Sequence, residues 1–373
     1  MIYLDNAATT KPSKNALDTY LKYAETGYFN PSAGYPQAVE IKAAMNAARK
    51  TAAEIFGADG DVVFTASGTE SNNLAFFGIN LRKGARVVIG GAEHKSVYEP
   101  AMKLKAQGFD VVLCPATASG AVTVQNLLSC VDSNTAFVSV MHINNETGAI
   151  NDIAALSAAA KKINQKIIFH SDGVQAFCKV PQTLGSVDLY SFSSHKINSV
   201  KGAGGLFIKK GLHLSPHILG GGQEGGLRSG TENVGALMAM CAQAKFRSEN
   251  LNESLTHCTS LKSIFIEKLL KKTDYRCIFE ENSDFSPYIA SFVSASVRGE
   301  TMQSALAAQG VLIGTGSACA SNATSGRIPA ALGLNKADGK GIIRISFAPE
   351  TGEEKTSLAA DLLCNTWTRL SSL

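Results

Sequence analysis

The sequence predicts an α/β protein built on a mostly parallel seven-stranded sheet, followed by a smaller α+β unit. Three observations carry this reading. Short runs rich in β-branched and aromatic residues alternate with longer helical patterns between about residues 60 and 210, which is the rhythm of strands joined by covering helices. At 373 residues the chain exceeds one simple compact domain. Its 45% hydrophobic and 18% charged residues, with 34 glycines, suit a globular enzyme rather than a disordered or fibrous protein.

In order, strands are predicted at 62–64, 86–89, 110–114, 136–141, 166–170, 189–192 and 205–208. Helices are predicted at 71–80, 96–107 and 153–163, where length and apolar spacing fit a helix. Residues 237–270 read as strongly helical, and the domain boundary is expected within them, near 250. Beyond lie a strand at 289–297, a helix at 302–309, a strand at 342–347 and a closing helix at 353–370. The expected division is a large unit of 13–250 and a small unit of 1–12 with 251–373. Ligands in such sheets bind beyond the carboxyl ends of the strands.

Charge and cysteines narrow the class. The net charge of +4 arises from 35 basic and 31 acidic residues without a long basic block, so no nucleic-acid footprint is indicated. Eight cysteines show neither a C-x-x-C pair nor zinc-ligand spacing. The start Met1-Ile2-Tyr3-Leu4-Asp5 lacks the basic and apolar regions of a signal peptide, and no apolar run is long enough for a membrane span. The expectation is a cytoplasmic protein with reduced thiols, no structural metal and no membrane association.

Four strand ends between residues 90 and 200 carry polar residues of particular types. His94, in Glu93-His94-Lys95, offers an imidazole that can stack on an aromatic ring and move protons near neutral pH. Asn145, in His142-Ile143-Asn144-Asn145-Glu146, can hydrogen-bond a phenolic oxygen. Asp172 and Gln175, three residues apart, suit a pyridinium nitrogen and a ring oxygen. Lys196 ends Ser193-Ser194-His195-Lys196, where an amine among small polar residues can form an imine with an aldehyde, and Ser193 and His195 are available for a phosphate. Upstream, Ser67-Gly68-Thr69-Glu70 opens a helix whose N–H groups and Thr69 hydroxyl can receive a phosphate, an ordinary N-cap being the competing reading. Jointly these residues point to pyridoxal 5'-phosphate.

A second feature is Cys319, within the small-residue segment 314–326. A thiol in such a loop can become a reactive thiolate, whereas Cys114 and Cys241, in apolar runs, read as packing residues.

These motifs, with Tyr3-Leu4-Asp5-Asn6-Ala7-Ala8-Thr9-Thr10, Phe29-Asn30-Pro31-Ser32, Gly220-Gly221-Gly222-Gln223-Glu224, Arg228-Ser229-Gly230-Thr231, Gly316-Ser317-Ala318-Cys319 and Ile343-Arg344, span nearly the whole chain. In this order and combination the chain resembles the cysteine desulfurases of the NifS/IscS type, in the class V group of fold-type I pyridoxal-phosphate enzymes.

The resemblance implies conversion of L-cysteine to L-alanine, with sulfur passed to Cys319 as a persulfide and then to an acceptor protein serving iron–sulfur cluster assembly, tRNA thiolation or another thio-cofactor pathway. It implies Lys196 as the Schiff-base lysine and Cα base, His94 as the stacking acid/base, Asp172 as the pyridinium partner, and Asn145 and Gln175 as ring contacts. Gly68, Thr69, Ser193 and His195 would surround the phosphate, joined by Thr231 from the second subunit of a homodimer. Asn30 and Arg344 would hold the substrate carboxylate. A selenocysteine lyase or class V aminotransferase is the alternative, though an aminotransferase needs no cysteine loop, and a low-activity regulatory or scaffold subunit is a weaker one. The chain departs from the family pattern at Ala33–Gln37, at Asn198–Val200 and at Gly225, which puts substrate shaping, the dimer contact and turnover in question.

Overall fold

The computed structural model describes residues 1–278, 284–316 and 326–372. In chain order the strands are β1 (Ile2–Leu4), β2 (Gly60–Thr65), β3 (Arg86–Gly90), β4 (Asp110–Cys114), β5 (Thr135–Ser139), β6 (Ile168–Asp172), β7 (Leu189–Ser193), β8 (Gly204–Lys209), β9 (Arg276–Cys277), β10 (Ile289–Val293), β11 (Val311–Thr315) and β12 (Ile342–Ser346).

Seven of them form one sheet in the order β2-β8-β7-β6-β5-β3-β4. Only β8 runs against the others, pairing antiparallel with both β2 and β7. The carboxyl ends of β2, β3, β5, β6 and β7 therefore emerge at one edge, which is where the chemistry-bearing motifs begin. The strands are nearly continuous apolar runs because both faces are covered. Alternation divides them between two cores: Val62, Phe64, Val88, Val138 and Tyr190 pack on one side, and Val63, Val87, Ile89, Phe137 and Leu189 on the other.

The other five strands form a second, mostly antiparallel sheet, β1-β11-β12-β10-β9. Its core is separate and includes Leu4, Phe265, Phe292, Ile343, Ile345 and Leu363. The extreme N-terminus enters this sheet, because β1 pairs in parallel with β11.

The long helical stretch around residue 250 is two helices, Val234–Glu249 and Leu251–Lys272, interrupted at Asn250, which leaves the helical region at φ −108°, ψ 24°. Helices Lys14–Glu25 and Pro36–Glu54, which were not among the predicted elements, pack against Val234–Glu249. The unusual Tyr35-Pro36 pair has a local use: Tyr35 caps Pro36–Glu54 and Pro36 occupies its first turn, where a missing N–H costs nothing. Asn198 and Gly225 both adopt left-handed backbone, with φ of 61° and 64°, conformations that Asn and Gly tolerate better than other residues. Among the described residues no helix is long and apolar enough to cross a membrane.

Candidate active site

The carboxyl edge of the seven-stranded sheet opens into a cavity of about 390 Å³. Gly68, Thr69, His94, Asn145, Asp172, Gln175, Ser193, His195, Lys196 and Arg344 all line it. Asn30 and Thr231 do not; they share a separate hollow of about 260 Å³. Cys319 lies outside the described residues.

At the floor, Asp172 ends β6 and is buried. One carboxylate oxygen accepts the backbone N–H of Val174 at 3.0 Å and the other the Asn72 amide at 2.7 Å. The turn after it must be glycine: a Cβ on Gly173 would meet the Tyr190 ring at 2.0 Å. Gln175, one turn on, donates its amide to the Ala7 carbonyl at 2.8 Å and accepts from Lys179 at 3.3 Å.

Lys196 sits at the end of a short 3₁₀ turn immediately after β7. Its amine donates to the carbonyls of Ala7 and, at 2.7 Å, Ala8, so the segment following β1 holds the lysine. Burial and the Arg344 charge lower its pKa to about 8, with Asp5 and Asp172 opposing. A lysine so placed gives up its proton more readily than an ordinary one, which suits an imine-forming amine. His195 is held near pKa 4 by burial and by the charges of Lys196, Lys179 and Lys201.

His94 caps the helix Lys95–Ala106, its Nδ1 accepting the N–H of Ser96 at 3.2 Å and lying 2.8 Å from the Ser96 hydroxyl. Packing around it lowers its pKa; Asp172 opposes this and Lys196 reinforces it. Just before it, the Glu93 carboxyl is fully enclosed and accepts the N–H of Met141 at 2.7 Å; burial raises its pKa well above the usual carboxylate range.

Arg344 is the contribution of the second sheet, from the middle of β12. Its guanidinium donates to Asp5 Oδ1 and to the Asn145 carbonyl, each at 2.8 Å. Nε is buried without a partner among the described residues. Gly314, opposite Arg344 on β11, has no room for a side chain, since a Cβ would come within 2.7 Å of Asp5 and 2.9 Å of Arg344.

The end of the cavity lined by Ser67, Gly68 and Thr69 fits an anion. Ser67 caps the helix Gly68–Gly78, whose first N–H groups face the cavity mouth with the positive end of the helix. Ser193 Oγ, beside them, is buried with no hydrogen-bond partner among the described residues, an arrangement that a ligand oxygen would complete. Gly68 leaves a cradle that a Cβ would fill, 2.5 Å from Val174 Cγ2. Asp5, Asn72, Ser96 and the Ala7 and Ala8 carbonyls also belong to this site but were not predicted. Neutral amides and hydroxyls on helices, and backbone carbonyls, carry no sequence signal of their own.

A lysine, an acid, an imidazole and an anion cradle around one cavity, at the carboxyl edge of this sheet, define a fold-type I pyridoxal-phosphate enzyme. The chain belongs to the class V aminotransferase family, whose model matches residues 2–357. It is 32% identical over 369 residues to a cysteine desulfurase IscS of Dictyoglomus turgidum, covering 97% of this chain and 93% of that one. Among solved structures it is similar to a NifS-like protein (30% identity, TM-score 0.92, 99% of this chain and 100% of the other). A second is SspA in complex with cysteine (28% identity, TM-score 0.81, 94% and 100%).

Proposed function

We propose that this protein is a pyridoxal-phosphate-dependent cysteine desulfurase that converts L-cysteine to L-alanine. The observation that carries this reading is the meeting of Lys196, Asp172, His94 and Arg344 in one cavity, in a chain similar over nearly its whole length to a protein named as such. When bound, the cofactor supplies the aldehyde that captures the substrate amine and the ring that accepts the electrons released at Cα.

The residues' own parts follow from their chemistry. Lys196, with its lowered pKa, holds the cofactor and takes the Cα proton. Asp172 keeps a proton on the ring nitrogen, Gln175 and Asn145 contact the ring oxygen, and His94 covers the ring face. Gly68, Thr69, Ser193 and His195 hold the phosphate. Arg344, already fixed by Asp5 and the Asn145 carbonyl, holds the substrate carboxylate. The Cys319 thiolate attacks the substrate sulfur and forms an S–S bond; the C–S electron pair stays on the carbon fragment, which gains protons to become alanine. The persulfide then goes to an acceptor protein.

The separation of Thr231 from the cavity within one chain supports a homodimer in which a second copy brings Thr231 to the phosphate, together with Asn30, its neighbour in the hollow. The two sheets support the division into 13–250 and 1–12 with 251–373. A cytoplasmic setting is consistent with the seven free cysteines among the described residues.

The test is to purify wild type, Lys196→Ala and Cys319→Ser, record visible absorbance, add L-cysteine and measure alanine and sulfide. The expected outcome is a yellow wild type that forms alanine, a colourless lysine variant, and a coloured cysteine variant that releases no sulfide. A colourless wild type would overturn the cofactor, and unchanged sulfide release by Cys319→Ser would remove the persulfide step.

A further inference from the structure

Asp172 and His94 lie on different strand ends, yet a continuous hydrogen-bonded chain of two neutral side chains joins them. Asn72 Nδ2 is 2.7 Å from Asp172 Oδ2 and 2.8 Å from Ser96 Oγ; Ser96 Oγ is in turn 2.8 Å from His94 Nδ1. Asn72 and Ser96 are both buried, so the bonds of Asn72 are shielded from water. Each link leaves one choice for the next. A carboxylate oxygen only accepts, so the amide must turn its nitrogen, not its oxygen, toward Asp172. That orientation leaves Asn72 Oδ1 buried with no partner among the described residues, a cost the amide would avoid if it were free to turn. The second amide hydrogen then points at Ser96 Oγ, which accepts it. The backbone N–H of Ser96, a donor that cannot turn away, points at His94 Nδ1 from 3.2 Å and makes that nitrogen an acceptor, so the Ser96 hydroxyl hydrogen turns toward it as well. Two donors converge on one ring nitrogen, so that nitrogen carries no proton.

We propose that Asn72 and Ser96 are positioning residues that transmit the orientation imposed by Asp172 to His94, fixing it as the tautomer with a bare Nδ1 and its proton on Nε2. His94 then exchanges its proton only at Nε2, and a second proton cannot enter without expelling both Ser96 donors. The charged groups around the imidazole are Asp172, Lys196, Glu146 and Arg327; the two cations disfavour the imidazolium and the two acids favour it. Ser96 adds a neutral, directional preference that salt does not screen.

The inference rests on the reading above only for the ring that His94 covers, and its test reads the imidazole directly. The full chain, loaded with pyridoxal phosphate and labelled with nitrogen-15 in its histidine rings, is titrated by NMR, with His94→Gln identifying the His94 signals. Wild type is expected to show an unprotonated Nδ1 and a protonated Nε2. Ser96→Ala, with its melting temperature checked for folding, is expected to raise the apparent His94 pKa by about one unit, the effect of losing one hydrogen bond, and to admit a fraction of Nδ1–H. Ser96→Thr, which keeps the hydroxyl, restores the wild-type spectrum. A wild-type Nδ1 that carries the proton overturns the proposal even if a variant fails to fold, as does a folded Ser96→Ala with an unchanged tautomer and titration. An enzyme inactive toward L-cysteine but with the expected spectrum would overturn the desulfurase reading and leave this one standing.

Discussion

The two sheets contribute to the cavity in opposite ways. The seven-stranded sheet brings the segments after five of its strands to the cavity and surrounds it with hydroxyls, amides, an acid and a lysine. The five-stranded sheet supplies one side chain, Arg344, from the middle of a strand, and braces it with Asp5 from the segment after β1. Strand ends offer free N–H groups and room for loops, so they suit a cofactor with many polar atoms. A mid-strand guanidinium is held by its ladder and suits one planar carboxylate. The contrast implies that cofactor retention and substrate capture are separable.

The largest expected effect of that separation is in Arg344→Met. It should raise KM for L-cysteine roughly 10- to 100-fold, the range for losing charge-assisted hydrogen bonds, while the visible spectrum of the bound cofactor is unchanged; loss of colour would break the separation. Next comes Gly68→Ala on the other sheet, where the added Cβ collides with Val174. It should weaken pyridoxal-phosphate binding about tenfold, a penalty of ~1.4 kcal/mol, measured by equilibrium dialysis, with KM at saturating cofactor little altered. The smallest effect is a shift along the pH axis. Lys196 has a folded-state pKa of about 8 against an ordinary 10.5, so the folded chain loses that proton first and this group's contribution to stability rises with pH between those values. Accordingly, the rate at which the cofactor-free chain forms an imine with pyridoxal phosphate should rise through pH 8. In Arg344→Met, which removes one neighbouring cation, the midpoint should move upward.

The larger sheet was the more legible of the two in the sequence. Its strands are buried on both faces, so they appear as uninterrupted apolar runs, and all seven lie within a few residues of the predicted positions; 166–170, for instance, is displaced to Ile168–Asp172. In the second sheet, β1 has only three residues and β11 runs directly into the glycine-rich segment, so neither carries a strand pattern of its own. The helix end at Asn250 lies near the expected boundary at 250, but no glycine or proline marks it as a break. In the cavity, ionisable residues at strand ends were recognisable by type. Asn72 and Ser96 were not, because their importance lies in a three-dimensional sequence of donors and acceptors that spacing along the chain does not encode.

The position of β1 also bears on how the protein is made. Residues 2–4 leave the ribosome long before their strand partner, Val311–Thr315, and the two carbonyls that hold the Lys196 amine follow directly behind them. The seven-stranded sheet can assemble during synthesis while the lysine is still without its backbone acceptors. The cavity is completed only when more than three hundred residues have emerged, so firm capture of the cofactor belongs to the last stage of the chain's production.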